Sequence, residues 1–144
     1  GVTVPRVQWF PGEPKDPGVR FRASLEALAY LIGLGVREHE AAGQKISRIT
    51  VSGGIARSDL MLEILASVIG RRLERLVSNE GTALGAAVVA LAGVESFRRR
   101  LPAEPFMVAD AVGALVQFRD AVNPVAEWRA AYERGIEEFR SRIR

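Results

Sequence analysis

The feature that most constrains the fold is a short β-branched run that stops at two glycines and leads at once into an apolar helical pattern. The segment reads ISRITVSGGIARSDLMLEILASVIG, residues 46–70. Residues 46–51 are typical of a buried strand, and Ser58 or Asp59 is expected to cap the following helix. The inner face of that helix is predicted to consist of Met61, Leu62, Ile64, Leu65, Val68 and Ile69.

Periodic patterns on both sides of this segment extend the order of elements. A long helix is predicted over residues 19–43. A second short strand is predicted from Leu73 to Ser78, followed by a helix that begins near Glu80 and extends to Arg99. The resulting order α-β-α-β-α is the signature of an α/β layer. The apolar face of the first helix is predicted to consist of Phe21, Leu25, Leu28, Ala29, Ile32 and Val36.

The last third of the chain is less regular. A loop is expected around Pro102 and Pro105, and a weak strand or turn between Val112 and Phe118. Asn123 is expected to cap a final helix, with Pro124 at its first position. The buried stripe of that helix is predicted to consist of Trp128, Tyr132, Ile136 and Phe139.

Composition excludes several classes of site. The chain has 144 residues, of which 48% are hydrophobic, enough for one domain with a core. It has no cysteine and one histidine, His39, which we expect to face solvent. Disulfide frameworks are therefore excluded, and zinc sites and nucleophilic triads nearly so. No signal peptide is recognisable, and no apolar stretch is long enough to span a bilayer, so we expect a cytoplasmic protein with no membrane partner.

The arginine-rich clusters suggest one alternative function. The net charge is +3, which permits an anionic ligand without demanding nucleic acid. Arg71-Arg72 and residues 98–100 could mark a basic interaction domain, but only Phe97 lies among them to stack on bases. We expect these arginines, including those of the segment RRLERL at residues 71–76, to form a solvated surface and to bind no nucleic acid.

Two glycine motifs stand where predicted strands meet helices. Gly53-Gly54 either makes a tight turn that needs a positive φ, or offers bare backbone against which a planar group can stack. The carboxyl edge of the strands is where open α/β sheets bind ligands, and the amides near Ser58 and Asp59 could donate hydrogen bonds there. In the second motif, SNEGTALGAA at residues 78–87, small residues would let the helix press against a neighbour. The residues alone leave both interpretations of Gly53-Gly54 open.

Together the two motifs resemble the C-terminal domain of the FGGY family of carbohydrate kinases. This family includes xylulokinases, glycerol kinases, gluconokinases and ribulokinases. Its pattern runs Gly-Gly, a small polar residue four positions on, an apolar helix, a short strand and E-x-x-A-L-G-A-A. The chain matches with Gly53-Gly54, Ser58, and Glu80 followed by residues 83–87. The resemblance is close over residues 18–95 and looser over residues 120–144, which look most like the xylulokinase branch.

The resemblance implies an α/β fold, namely part of an actin-like (ribonuclease H-like) ATPase domain with short strands packed against several helices. It implies that the whole enzyme transfers the γ-phosphoryl group of ATP, with Mg²⁺, to a sugar or polyol hydroxyl, a xylulose-like substrate being favoured. Gly53, Gly54 and Ser58 would contact the nucleotide, with adenine against Gly54. Asn79 and Glu80 would support that site from behind.

The resemblance also implies what this chain lacks. The catalytic base, the phosphate-binding loops and most sugar contacts are not recognisable in it, so we expect no catalytic residue and no metal ligand here, and no activity of this chain alone. Residues 1–17 are expected to continue from an upstream region, and residues 18–144 to be an incomplete nucleotide-binding domain. The expected partners are a nucleotide, a sugar and the N-terminal kinase domain of the same polypeptide, with self-association left open. An alternative is an actin-like nucleotide-binding module that is not a kinase.

Overall fold

Three short strands and five α-helices form the part of the chain that the computed structural model describes, residues 7–99 and 105–143. This mixture of elements agrees with the predicted α/β class. In chain order the elements are α1 (Pro17–Ala41), β1 (Thr50–Val51), α2 (Asp59–Ile69), β2 (Leu73–Leu76), α3 (Gly81–Arg98), α4 (Val108–Leu115), β3 (Phe118–Val122) and α5 (Arg129–Arg142). Short 3₁₀ turns occupy Ile55–Arg57 and Ala126–Trp128.

The strands form one sheet in the order β1-β2-β3. β1 is parallel to β2, with Thr50 opposite Glu74. β2 is antiparallel to β3, with Leu73 opposite Val122. Because β1, α2 and β2 form a parallel crossover, the carboxyl ends of β1 and β2 meet at the same edge of the sheet. Both glycine motifs follow these ends directly.

Helix α2 is the centre of the core, and seven of its eleven residues are buried. The predicted inner face is confirmed, with Leu62 and Ile64 fully buried and Ile69 half-buried. The one buried hydroxyl of the helix, on Ser67, donates to the Glu63 carbonyl at 2.6 Å and accepts from the Val125 amide at 2.9 Å. A buried polar group with both bonds made does not weaken the core.

Helix α1 packs on α2 and α5 through small residues. A Cβ at Gly33 of α1 would be 2.9 Å from Val68 Cγ1 and 3.1 Å from Ile136 Cδ1, so glycine is what allows this close approach. The predicted face of α1 is therefore partly wrong. Ala29 is buried, but Phe21 and Leu28 are 62% and 41% exposed, because the narrow contact through Ala29 and Gly33 leaves them on the outer side.

Several predicted boundaries need correction. β1 is shorter than residues 46–51, and residues 112–115 belong to a helix rather than to a strand or turn. Helix α4 forms because Asp110 accepts a hydrogen bond from the Met107 amide at 2.7 Å and Ala111 packs against α3. A strand does begin at Phe118, as β3. Pro102 lies outside the described residues.

The last helix begins later than predicted. Asn123 does not cap it and Pro124 does not occupy its first turn, because residues 123–125 run without helical structure to a 3₁₀ turn. The bond from the Val125 amide to Ser67 holds this segment against α2. The predicted stripe is confirmed: Tyr132 and Ile136 are buried, and Trp128 and Phe139 are half-buried.

The small-residue face of α3 does not pack as predicted. Residues 85–87 are exposed, whereas Val88 and Ala92 are buried against Ala111 of α4. The packing of α4 on α3 is centred on Val88 and Ala92, with Leu91 beside them, and residues 85–87 precede that contact in the helix. Among the described residues, no helix has the length and apolarity needed to cross a membrane.

Candidate functional site

The first glycine of the corner after β1 is required by the backbone. Gly53 has a φ of 73°, in the left-handed region that glycine adopts without a steric penalty. Its conformation turns the chain sharply at the carboxyl end of β1. The tight-turn interpretation of the sequence therefore accounts for Gly53.

The second glycine has no such explanation. Gly54 has a φ of −60° and a ψ of −39°, values that any residue adopts, and it is exposed. A Cβ built on Gly54 would meet no atom within 4 Å. Neither backbone conformation nor packing among the described residues calls for glycine at this position. The Gly54 backbone thus faces open space at the edge of the sheet.

The structure brings the two glycine motifs together. A Cβ at Gly81 would be 3.2 Å from the Ser52 Cβ and closer still to its Oγ, so the start of α3 touches the residue that follows β1. A Cβ at Gly53 would lie 4.0 Å from the Asn79 carbonyl oxygen. Residues 52–54 and 79–81 therefore line one edge, which we call the glycine edge.

Ser58 caps α2, as one of the two sequence alternatives predicted. Its Oγ accepts a hydrogen bond from the Met61 amide at 3.2 Å. The Ser58 hydroxyl hydrogen has no acceptor within residues 7–99 and 105–143, so it can donate to a bound group. Asp59, the other candidate cap, is the first residue of α2, and its carboxylate is bonded elsewhere.

Asn79 and Glu80 lie at the glycine edge, but the contact to Gly53 is made by backbone. The Glu80 amide donates to Ser78 Oγ at 3.1 Å, which shapes the turn before α3. The Glu80 side chain is exposed and makes no cap on α3. Asn79 and Glu80 therefore contribute to the glycine edge through backbone atoms.

One residue of this region was missed by the sequence analysis, which assigned the arginines of residues 71–76 to a solvated surface. Arg75 is buried, with 8% of its surface exposed. Its Nε and Nη2 donate to the two carboxylate oxygens of Asp120 at 2.7 and 2.6 Å. Its Nη1 donates to Asp59 at 2.5 Å. Arg75 lies on the same face of β2 as the buried Leu73, because side chains two residues apart in a strand point the same way. This spacing was visible in the sequence.

The charges of this cluster reinforce one another. Hydrogen bonds to Asp120 and Asp59 raise the pKa of Arg75 above its usual range. The hydrogen bond from Arg75 lowers the pKa of the Asp120 carboxyl. Arg75 and Asp120 therefore both stay charged at neutral pH.

The arginine clusters that suggested a nucleic-acid partner are largely paired with acids. Arg71 pairs with Glu40, Arg72 with Glu74, and both Arg98 and Arg99 with Glu95. Arg100 lies outside the described residues. This pairing reduces the positive potential that those residues offer to a polyanion. His39 is exposed in the last turn of α1, as predicted.

A separate cavity of about 530 Å³ lies between residues 7–10, α1 and α5. It contains none of the residues that the sequence analysis singled out for function, and it shares no residue with the glycine edge. Its lining is mainly apolar and aromatic, and includes Trp9, Phe10, Tyr30 and Phe139.

Comparison with known proteins adds an independent line of evidence. Residues 11–94 match the model of the C-terminal domain of the FGGY family of carbohydrate kinases. A ribulokinase from Mycolicibacterium smegmatis is 33% identical over 79 residues, which is 55% of this chain and 14% of the relative. A glycerol kinase from Dechloromonas aromatica is 34% identical over 128 residues, 80% of this chain and 23% of the relative.

A solved structure agrees with these relatives. The crystal structure of xylulose kinase from Rhodospirillum rubrum matches with a TM-score of 0.69 and 29% identity, covering 86% of this chain and 24% of that one. The predicted fold, part of an actin-like ATPase domain, is thereby confirmed. The chain spans less than a quarter of the length of each of these relatives. The match over residues 11–94 includes both glycine motifs, and the chain belongs to the FGGY family of carbohydrate kinases.

Proposed function

We propose that this chain is the nucleotide-binding part of a carbohydrate kinase, and that the complete protein transfers the γ-phosphoryl group of ATP to a sugar or polyol hydroxyl. Membership of the family supports the reaction class. The observation that carries the assignment of the site is Gly54, a glycine for which the described structure has no internal need.

The glycine edge has the features that an adenosine group requires. A residue without a Cβ lets a flat base lie directly on the peptide at Gly54. The positive φ of Gly53 directs the chain so that this peptide is presented at the carboxyl edge of the sheet. Beyond it, the Ser58 hydroxyl has a hydrogen to donate, and the first amides of α2 point toward the same end of the helix. Asn79 and Glu80 shape the opposite side of the edge.

The acceptor that we propose is a xylulose-like sugar. The similarity to the xylulose kinase from Rhodospirillum rubrum supports it, since that match covers 86% of this chain. The other two relatives described above are a glycerol kinase and a ribulokinase, so similar domains occur in kinases that are named for different acceptors. A panel of sugars and polyols assayed with the complete protein tests the proposal, and we expect the highest kcat/KM with xylulose-like ketoses.

The remaining machinery of the reaction is assigned to the rest of the polypeptide. We propose that residues 1–17 link to an upstream region and that residues 18–144 are an incomplete nucleotide-binding domain, which needs the N-terminal kinase domain for turnover. Within the described ranges, no three acidic, histidine or cysteine side chains cluster to hold a metal ion. Mg²⁺ would therefore be held mainly by the phosphates of ATP and by groups outside these residues, and would neutralise the developing charge.

Replacing Gly54 by valine tests the nucleotide site. In the complete protein, we expect Gly54→Val to weaken ATP binding about tenfold or more, a loss of about 1.4 kcal/mol, because the side chain would occupy the place of the base. Gly93→Val is the matched control, since Gly93 is also exposed and a Cβ there meets nothing within 4 Å. Calorimetric titration with ATP gives the affinity.

Two results would contradict the proposal in different ways. Unchanged ATP affinity in a folded Gly54→Val variant would show that the base does not stack on this backbone. Normal ATP binding without phosphorylation of any sugar or polyol by the complete wild-type protein would instead indicate a nucleotide-binding module that is not a kinase.

A further inference from the structure

Arg75 is the one charged residue that is buried within residues 7–99 and 105–143. Its four hydrogen bonds go to three separate segments of the chain. Two bonds reach Asp120 on β3, one reaches Asp59 at the start of α2, and a longer one of 3.4 Å reaches the carbonyl of Ala56 in the 3₁₀ turn. The guanidinium group thus joins the sheet to the segment that follows Gly53-Gly54.

Arg75 contacts residues that are close in sequence to Gly54 and Ser58, the two residues proposed to face the nucleotide. Ala56 comes two residues after Gly54, and Asp59 comes directly after Ser58. Arg75 therefore contacts the 3₁₀ turn itself, at Ala56, and the start of the helix that follows it, at Asp59. If the turn moved, the Gly54 peptide and the Ser58 hydroxyl would change their separation.

The orientation of the guanidinium comes from β3. Two parallel bonds to one carboxylate fix the plane of an arginine side chain. With Asp120 accepting from Nε and Nη2, the remaining nitrogen Nη1 is directed at Asp59 and Ala56. The Asp59 side chain is 78% exposed and has no other hydrogen bond among the described residues, so Arg75 alone orders it.

Stability alone is a poor explanation for this arrangement. Apolar residues of similar volume often replace a buried ion pair with no loss of stability, because burying charge carries a desolvation penalty. What an apolar residue cannot supply is a directed link from β2 to the turn and to α2. Lysine cannot supply it either, because a single ammonium group does not reproduce the fork of three bonding nitrogens.

We propose that Arg75 is a positioning residue for the nucleotide: its guanidinium, oriented by Asp120, holds the 3₁₀ turn and the start of α2 so that Gly54 and Ser58 face the nucleotide together. This inference rests on the proposed function of the glycine edge. It extends that function to a side chain that does not itself touch the ligand.

The test uses the complete protein and the variants Arg75→Met and Arg75→Lys. We expect Arg75→Met to raise the KM for ATP about tenfold while the KM for the sugar stays the same, since misplacing a binding group slightly has a large effect. Amide hydrogen exchange should become faster over residues 54–62. Arg75→Lys should show the same changes, because lysine does not restore the fork.

Arg22→Met is the matched control. Arg22 also bonds to an acid and a second group, Glu26 and Tyr132, but at the contact of α1 with α5 and with no bond to the glycine edge. We expect this variant to leave both KM values and the exchange of residues 54–62 unchanged. A change in either KM or in that exchange would show that loss of any paired arginine loosens the fold, and would overturn the proposal.

Asp59→Asn keeps the test valid if Arg75→Met does not fold. Asp59 is exposed, and this substitution removes the negative charge with which Arg75 pairs while leaving the bonds of Arg75 to Asp120 in place. We expect a severalfold rise in the KM for ATP alone. Unchanged KM for ATP in every folded variant of Arg75 and Asp59, or equal rises in both KM values, would overturn the proposal.

Gly54→Val measured in the same assay separates the two hypotheses. If Gly54→Val weakens ATP binding and the folded Arg75 and Asp59 variants do not, only the positioning role is wrong. If neither substitution affects ATP binding, both the nucleotide site and the positioning role are wrong. If the Arg75 variants alone raise the KM for ATP, the stacking on Gly54 is wrong, and the positioning role that depends on it is overturned in the form proposed.

Discussion

Gly81 at the start of α3 lies against Ser52, the residue that follows β1, so that a Cβ on Gly81 would be 3.2 Å from the Ser52 Cβ and would collide with its Oγ. Both atoms of Ser52 belong to the segment that leads into Gly53. The absence of a side chain at Gly81 is therefore what lets the second glycine motif reach the first.

The first prediction concerns this contact. Gly81→Ala should lower the free energy of unfolding by about 1–2 kcal/mol, because an added methyl group in a packed contact forces neighbours apart. Gly85→Ala in the same helix should be neutral or raise it by up to about 1 kcal/mol, since a Cβ there meets nothing within 4 Å and alanine favours the helix. Urea denaturation measures both. Equal effects of the two substitutions would contradict the steric explanation.

The second prediction compares two glycines of α1. Gly33→Ala should destabilise the protein by about 1–2 kcal/mol, because its Cβ would be 2.9 Å from Val68 Cγ1. Gly35→Ala should stabilise it by about 1 kcal/mol, since the position is unobstructed and glycine is a poor helix former. Adding Val68→Ala to Gly33→Ala should recover part of the loss, since the 3.1 Å approach to Ile136 Cδ1 remains, as judged from denaturation of the double variant against Val68→Ala alone.

The third prediction concerns the cap of α2. Ser58→Ala should lower the free energy of unfolding by about 1 kcal/mol, because the Met61 amide loses its acceptor. Ser58→Asn should keep most of the stability, since asparagine is an equally favoured residue at this position. Thermal or urea denaturation of the two variants distinguishes them. If Ser58→Ala were as stable as wild type, the hydrogen bond to Met61 would contribute nothing.

The fourth prediction concerns stability in acid. Because the hydrogen bond from Arg75 lowers the pKa of Asp120 from 3.8, the stabilisation is fully present above pH 3.8 and is lost as the pH falls through the folded-state value. Asp120→Asn should therefore be less stable than wild type at neutral pH, and this difference should shrink below pH 3.8. Urea midpoints of both proteins over this range provide the test. A difference independent of pH would mean that the charge of Asp120 is not responsible.

The fifth prediction concerns stability in alkali. Burial, together with the nearby Glu26, Tyr132 and Glu138, raises the pKa of Tyr30 from 10.0 to about 12. The folded state holds this proton more tightly than the unfolded state, so stability should fall as the pH rises from 10.0 to about 12. Tyr30→Phe should show a smaller fall. The ultraviolet difference spectrum between wild type and variant should show that Tyr30 ionises only above pH 10.0.

Much of the local structure could be predicted because it depends on neighbouring residues. The alternation of elements, the apolar face of α2 and the stripe of α5 all come from a regular spacing of apolar residues. The left-handed turn at Gly53 and the cap at Ser58 are likewise determined within a few residues. The nucleotide contacts of Gly53, Gly54 and Ser58 remain predictions.

Other features were wrong because distant contacts decide them. Residues 112–115 form a helix because packing of Ala111 on the distant α3 adds to the local bond at Asp110, and the helix after Asn123 starts late because Val125 is bonded to Ser67 on α2. Phe21 is exposed because α1 approaches its neighbours through Gly33. In each case the partner lies far away in sequence, where local spacing carries no information.

By itself, the amino-acid sequence determined the α/β order, the glycine turn after β1 and the pair of motifs that marks the family. Only the tertiary structure decided that Gly54 has open space over it, that Gly81 meets Ser52, and that Arg75 is buried between Asp59 and Asp120. The physical reason is that backbone preference and periodicity act over a few residues. The burial of a charge and the close approach of two backbones depend instead on which distant segments meet in the fold.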